Sequence, residues 1–219
     1  GDVKKVYVGE QTYQAKTVII STGASANWLG LENEQRLMSH GVSACATCDA
    51  FFFRDKEVVV VGGGDVAMEE AHALTKFASK VHIVHRRDTL RASKIMQQRA
   101  MNDTKIEFIW NAEVVDVLGK DSVEGVRLRD TKDGSERDFA CQGMFVAIGH
   151  TPATKLFAEA LTLDEKGYLV TTDLVKTERA GVFAAGDVVD AHYRQAITAA
   201  GDGCRAALEA ELAALEQAT

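Results

Sequence analysis

Proline is almost missing from this chain of 219 residues, and cysteine is scarce. The single proline, Pro152, falls in a turn, and there is no low-complexity tract or repeat of solenoid period. Four cysteines, at positions 45, 48, 141 and 204, are too few for a disulfide-stapled secreted scaffold. Basic residues are outnumbered, 25 Lys and Arg against 32 Asp and Glu, giving a net charge of -7. That excludes a surface built to follow nucleic-acid phosphates, so any local basic cluster must serve something small. No apolar run approaches the ~18 residues needed to cross a bilayer, and no charged-then-apolar leader precedes the first strand. The expectation is a cytoplasmic protein with no membrane partner. The first residue is Gly rather than Met, and the chain opens directly in a hairpin, which reads as a truncated frame. What is present is ordinary for a globular protein: 46% apolar and 26% charged residues, enough for one good core or two modest ones.

Val6-Tyr7-Val8, a Gly9-Glu10 turn and Thr12-Tyr13 predict the hairpin, followed by a buried strand over 17–20. After a small-residue turn at 21–24, the polar stretch to Gly41 reads as a linker. From residue 57 a strand, a glycine turn, a helix over about 65–78 and a strand over 80–84 make a βαβ unit. Val66, Ala67, Ala71, Leu74 and Phe77 give that helix one apolar face with which to cover a parallel sheet. A second helix is expected over about 90–102. Runs at 106–110, 114–118 and 123–128, with a charged turn at Lys132-Asp133-Gly134, predict an antiparallel meander. Buried strands follow at 143–149 and 182–185, then an Ala-rich helix over about 195–216.

The chemistry concentrates in three places. Gly62-x-Gly64-Asp65-x-Ala67 follows four valines and opens an amphipathic helix. In that context the first glycine allows a tight turn, the second admits a pyrophosphate to backbone N–H groups, and the small residue packs helix on strand; the plainer reading is a tight βα turn. At the end of the second strand, where NAD sites carry an acid for the ribose, stand His85-Arg86-Arg87, with Arg91 further on. Guanidinium groups clamp a 2′-phosphate by paired charge-assisted hydrogen bonds, so the expected cofactor is NADPH; the plainer reading is a solvated basic helix start. Cys45-Ala46-Thr47-Cys48 admits three readings. Zinc ligation lacks a second cysteine pair or a histidine pair, inert buried thiols are the second reading, and a redox pair is the third. The i, i+3 spacing at a helix start brings both sulfurs to one face and favours the thiolate. Asp49 beside them is either a proton donor to a leaving thiolate or a first-turn acid. No metal site is expected. Gly186-Asp187, with Arg194-Gln195-Ala196 at a helix start, is either another cofactor contact or a plain turn. Cys204 reads as a core residue of the last helix, and Cys141, at the start of a strand, has no assigned role.

Taken together, Ser21-Thr22-Gly23-Ala24, the segment from Gly41 to Asp49, Gly62 to Ala67, His85-Arg86-Arg87, Phe145 to His150 and Gly181 to Asp187 resemble the bacterial, low-molecular-weight thioredoxin reductases. The resemblance covers nearly the whole chain but lacks the N-terminal part of that family's FAD domain. It implies an α/β fold of two Rossmann-like, three-layer nucleotide-binding domains, the incomplete FAD domain interrupted by the NADPH domain. By it, residues 1–27 and 153–219 belong to the FAD domain and residues 28–152 to the NADPH domain with its redox cysteines. It further implies FAD and NADPH as cofactors, thioredoxin as partner, and a homodimer. Cys48 would face the flavin, Cys45 would attack the partner, and Asp49 would act as acid and base. Ile148 and Gly149 would join the NADPH contacts, while Thr22, Gly23, Gly186, Asp187, Arg194, Gln195 and Ala196 would contact FAD. The domains would rotate on hinges near 25–41 and 149–154. Without the family's first βαβ, the strands at 17–20 and 182–185 would be left without a neighbour. The alternatives are the reductase component of a peroxidase system and a non-catalytic NADPH-binding fragment.

Overall fold

A computed structural model describes residues 3–216. The chain begins with an antiparallel hairpin, β1 (Lys4–Val8) and β2 (Gln11–Ala15), followed by β3 (Val18–Ile20) and β4 (Ala24–Ala26). It divides into two compact units: Gly1–Ser25 with His150–Thr219, and Ala26–Gly149.

The unit 26–149 runs α1 (Glu32–Arg36), β5 (Val42–Ser43), α2 (Ala46–Asp49), a 3-10 turn (Ala50–Phe53), β6 (Glu57–Val61), α3 (Asp65–Leu74), β7 (Lys80–His85), α4 (Lys94–Met101) and β8 (Ile106–Trp110). It continues through β9 (Ala112–Leu118), β10 (Gly125–Asp130), β11 (Glu136–Ala140) and β12 (Met144–Val146). Five strands form one sheet in the order β5-β12-β6-β7-β8, every neighbouring pair parallel. The valine run of β6 is explained by burial on both faces. Val58 and Val60 pack with Ala67, Met68, Leu74, Ile83 and Phe145 on the helical side. Val59 and Val61 pack with Val84, Met144, Val146 and the β9-β10-β11 meander on the other. Each fully buried valine contributes ~1.5–3 kcal/mol. The backbone of the unit closes on itself where the Asn27 N–H donates to the Gly149 carbonyl at 2.9 Å.

Four details differ from the sequence reading. The run 106–110 is not in the meander: it pairs with β7 from Val81↔Ile106 to His85↔Trp110, and Asn111, at φ 52°, then turns the chain into β9. The helix expected to reach 78 stops at Leu74, where the chain tightens into a turn with the Phe77 N–H on the Leu74 carbonyl at 2.9 Å, and the Lys105 ammonium satisfies the carbonyls of Thr75 (2.8 Å) and Ala78 (3.0 Å) just past the end. The helix expected from 90 starts at Lys94, so Arg86, Arg87 and Arg91 lie in an irregular loop and the basic helix start falls away. The polar stretch read as a linker holds α1 and a fully buried carboxylate, Glu34, which accepts the N–H groups of Leu29 (2.9 Å), Gly30 (2.8 Å) and Leu31 (3.3 Å).

The other unit continues through β13 (His150–Pro152), paired with β4, then β14 (Val182–Ala184) and α5 (Ala196–Glu216). The strands expected to lack neighbours pair with one another in parallel, Val182↔Val18 to Ala184↔Ile20. The far side of β14 carries a bridge from Lys176 to Phe183. Ile20, Leu161, Leu169, Ala184 and Val188 form one small cluster, and α5 seats Ala206 and Ala210 against Val175, Phe183 and Ala185. Cys204 is exposed, not core: two positions before Ala206 is ~200° around the helix from the buried face. Cys141 lies after β11 rather than at a strand start, and burial pushes its thiol up to about 12, with Glu57 adding to the shift against a Gly143 backbone hydrogen bond. A maleimide should therefore label the native oxidised protein once, at Cys204, and twice in denaturant, when Cys141 is uncovered. Mass spectrometry of the labelled peptides checks this; label on Cys141 in the native protein would contradict it.

Candidate functional site

In an open parallel sheet, ligands gather beyond the carboxyl ends of the strands. Four strands here end in the residues the sequence singles out. From the edge inward, β5 leads two residues on to Cys45, β12 leads to Ile148 and Gly149, β6 opens into Gly62-Gly63-Gly64, and β7 ends at His85 before Arg86 and Arg87.

Cys45 and Cys48 are joined in a disulfide, which excludes the zinc and inert-thiol readings for this state. Cys45 is the N-cap of the single turn α2 and is half-buried, while Cys48 is exposed. The turn is held by a dense set of hydrogen bonds. The N–H groups of Cys48 (3.2 Å) and Asp49 (3.1 Å) reach the Cys45 carbonyl, and the Cys48 N–H also lies 3.2 Å from the Cys45 sulfur. The Ala46 N–H donates to the Glu70 carboxylate on α3. The Asp49 carboxylate accepts the Ser43 hydroxyl at 2.6 Å. Sequence reading missed Ser43 and Glu70. A carboxylate three residues past Ala67, on the flank of a sheet-covering helix, was the one available signal for the latter.

The glycine turn has the shape a pyrophosphate requires. A Cβ on Gly62 would lie 2.5 Å from the Ala147 carbonyl oxygen and 2.7 Å from the Ala67 Cβ, so the turn closes only with glycine there. A Cβ on Gly64 would meet nothing within 4 Å, leaving the N-terminus of α3 open to a ligand, and no side chain caps that end. Gly62→Ala should lose both ~1–3 kcal/mol of stability and nucleotide binding. Gly64→Ala should keep its melting temperature and lose nucleotide binding alone, because the methyl occupies the space a phosphate would take. Calorimetry with and without NADPH separates the two.

His85 is buried against Gly63, with Nε2 3.0 Å from the Thr89 carbonyl, so its ring supports the turn from below. The Asp65 carboxylate is also engaged, accepting the Ser93 N–H at 2.7 Å. Its partner and the Gly63 carbonyl, which takes the N–H groups of Arg91 (2.8 Å) and Ala92 (3.1 Å), bind the basic loop to the glycine turn. The Arg86, Arg87 and Arg91 side chains are exposed, and no ion pair holds them among the described residues.

The FAD candidates lie in the other unit. Thr22 donates its hydroxyl to the Ala153 carbonyl at 2.8 Å, and Gly23, at φ 73°, has open space where a Cβ would be. Gly186 sits at φ 79°, and Asp187 follows it in a short 3-10 turn ahead of α5. The segment before that helix is shaped by Asp190, whose carboxylate accepts the N–H groups of His192 (2.8 Å), Tyr193 (2.8 Å) and Arg194 (2.9 Å). Burial opposes the charge of Asp190, and the three N–H donors with the nearby Arg194 guanidinium outweigh it, holding the carboxyl below its usual range. The Gln195 N–H reaches the Thr198 hydroxyl at 3.4 Å, and Ala196 opens α5. His150 has a buried, unsatisfied Nδ1, and burial together with Arg194 pulls its pKa down against Asp187. An orphaned ring nitrogen beside these turns fits a polar ligand. Among the described residues the α-helix of this unit, α5, begins well after β14 and its Gly186 turn, so no helix N-terminus directly follows a strand-glycine turn to receive a second pyrophosphate. The residues present therefore fit part of a FAD site.

No helix among the described residues is long and apolar enough to cross a membrane. The family model of pyridine nucleotide-disulphide oxidoreductases matches residues 1–203. A thioredoxin reductase of Streptomyces clavuligerus is 57% identical over 219 residues, spanning 98% of this chain and 68% of its own length. A bifunctional thioredoxin reductase/thioredoxin of Mycobacterium leprae is 54% identical over 213 residues, with 96% of this chain and 46% of its own length covered. The crystal structure of thioredoxin reductase from Streptococcus pyogenes superposes with a TM-score of 0.92 at 44% identity, covering 99% of this chain and 71% of that one. With a disulfide and a nucleotide turn at the carboxyl edge of one sheet, and with these relatives, the chain belongs to the thioredoxin reductase family of pyridine nucleotide-disulphide oxidoreductases, whose members use FAD and NADPH.

Proposed function

We propose that this chain carries the NADPH-dependent reduction of thioredoxin through its Cys45–Cys48 disulfide. The observation that supports it most is the placement of that disulfide and of the Gly62 to Gly64 turn at the ends of strands of one parallel sheet. Gly62, Gly64 and Ala67 shape the pyrophosphate turn, Arg86, Arg87 and Arg91 take the 2′-phosphate, and Ile148 and Gly149 border the same edge. Asp65 and His85 act from behind, holding the loop and the turn. In the other unit Thr22, Gly23, Gly186, Asp187, Arg194, Gln195 and Ala196 would hold FAD. When bound, FAD supplies a two-electron acceptor for nicotinamide hydride that can hand the pair to a disulfide.

The chain's own residues then perform thiol exchange. The Cys45 thiolate attacks one sulfur of the thioredoxin disulfide; that bond breaks, a mixed disulfide forms, and the leaving thiolate takes a proton from Asp49. Cys48 gives its proton to the Asp49 carboxylate and attacks the Cys45 sulfur; the Cys45–Cys48 bond re-forms, and the second thioredoxin sulfur leaves as a thiolate that takes that proton from Asp49. Two electrons and two protons reach the partner. A homodimer in the cytoplasm belongs to the same reading; the compartment is supported by one exchangeable disulfide beside two free thiols, an inventory suited to reducing conditions. The three relatives described above are thioredoxin reductases, which disfavours a peroxidase-system reductase. The test needs no flavin: the chain is reduced, desalted and mixed with oxidised thioredoxin. Loss of two thiols from the chain and their gain by thioredoxin supports the proposal, and a dithiol that survives excess oxidised thioredoxin refutes it.

A further inference from the structure

Ser43 closes β5 at the edge of the sheet, two residues before Cys45, and is buried at 8% exposure. Its hydroxyl oxygen has three neighbours: the Asp49 carboxylate at 2.6 Å, the Cys45 N–H at 3.0 Å and the Cys45 carbonyl at 3.5 Å. A hydroxyl has one proton to give. The short contact to the Asp49 Oδ2 takes it, and the Cys45 N–H fills the acceptor side, so the two bonds fix each other's direction. The turn around them leaves little slack, since the Ala46 N–H is taken by Glu70 and those of Cys48 and Asp49 by the Cys45 carbonyl. Asp49 is thus tied through one hydroxyl to the backbone of the attacking cysteine.

We propose that Ser43 is a positioning residue for thiol exchange, holding the Asp49 carboxyl and the Cys45 backbone in one hydrogen-bonded unit anchored to the parallel sheet. This rests on the reading of Asp49 as proton donor. Ser43 touches neither the partner nor the exchanging sulfurs; it decides where the proton donor sits when the leaving thiolate forms. A general acid contributes ~10²–10⁴-fold only while it stays within reach of that proton.

The experiment measures single-turnover oxidation of the reduced chain by thioredoxin disulfide, in a Cys204→Ser background. Ser43→Ala should slow it about tenfold, Ser43→Thr should stay within about threefold, and Asp49→Asn should slow it about 10²-fold. Ser43→Ala combined with Asp49→Asn should be no slower than Asp49→Asn alone, because a residue acting through Asp49 has nothing left to act on. If the alanine variant does not fold, the isosteric Ser43→Thr and Ser43→Val pair makes the same comparison. A rate within twofold of wild type for Ser43→Ala beside a slow Asp49→Asn overturns the proposal and leaves the role of Asp49 standing. So does a Ser43→Ala loss that multiplies with that of Asp49→Asn, which marks a general structural effect. A wild-type rate for Asp49→Asn overturns the acid reading itself and Ser43's role with it.

Discussion

The Cys48→Ser chain, reduced and mixed with a thioredoxin bearing one cysteine activated as a coloured mixed disulfide, should accumulate a covalent one-to-one adduct. Cys45→Ser should form at least ten times less. The reason is the order of bonds in the exchange. One thiolate makes the intermolecular disulfide, and only its neighbour in the turn can break it, so deleting the second thiol stops the reaction at the adduct. Turnover with thioredoxin should fall by at least ~10³ in either variant, since no other group can carry the electron pair. NADPH binding should survive, because the glycine turn and the basic loop follow other strands of the sheet. The exposed Cys204 would capture the activated thiol on its own account, so the experiment belongs in a Cys204→Ser background. The native disulfide leaves Cys48 exposed and Cys45 half-buried, so the assignment of Cys45 as the attacking sulfur meets a demanding test. An adduct on Cys48 in the Cys45→Ser chain, and none in Cys48→Ser, would reverse the two roles.

NADPH should bind roughly 10² to 10⁴ times more tightly than NADH, and the preference should collapse in Arg86→Ala/Arg87→Ala. Two charge-assisted contacts to a 2′-phosphate at ~1.5–3 kcal/mol each give that range. The loop that presents them is anchored at both ends. The Thr131 hydroxyl donates to the Arg86 carbonyl at 3.2 Å and the Asn111 N–H to the Arg87 carbonyl at 3.3 Å, while Gly63 and Asp65 hold residues 91–93. Little ordering is left for the nucleotide to impose, so the contacts appear as affinity. The preference should also shrink with added salt, because the guanidinium groups are exposed. Titration calorimetry of both nucleotides against wild type and the double variant checks it; equal affinities in wild type would remove the arginines' assigned role.

The parts of this molecule legible in the sequence are those whose physics is local. A run of valines into glycines can be read because strand, turn and helix follow directly from residue type, and the cysteine spacing carries its own geometry. What escaped was set by distant partners. β5 is two residues long and exists only because Met144 and Phe145 pair with Val42 and Ser43, so the strand that delivers the disulfide gave no signal of its own. Glu34 sits in a polar stretch without periodicity, and its burial depends on three backbone donors converging in space. The alternating run of β8 fits a meander as well as a parallel edge, and only its register against β7 decides. Cys204 shows the limit of composition, since an Ala-rich helix suggests a core while only one stripe of α5 is covered. His85 lies against Gly63 and Asp65 accepts the Ser93 N–H, engagements that depend on partners residue type does not reveal.

The hydrogen bond from the Asn27 N–H to the Gly149 carbonyl brings the entry and exit of the unit 26–149 together. A segment whose two ends touch, and which owns a complete sheet with both faces covered, can be gained or lost by a chain as one genetic insertion, since the host need only open a single loop to receive it. The nucleotide turn and the exchangeable disulfide travel together in such a cassette. A lineage could change the acceptor of its electrons by altering the turn between Ser43 and Phe53 while inheriting the electron donor unchanged.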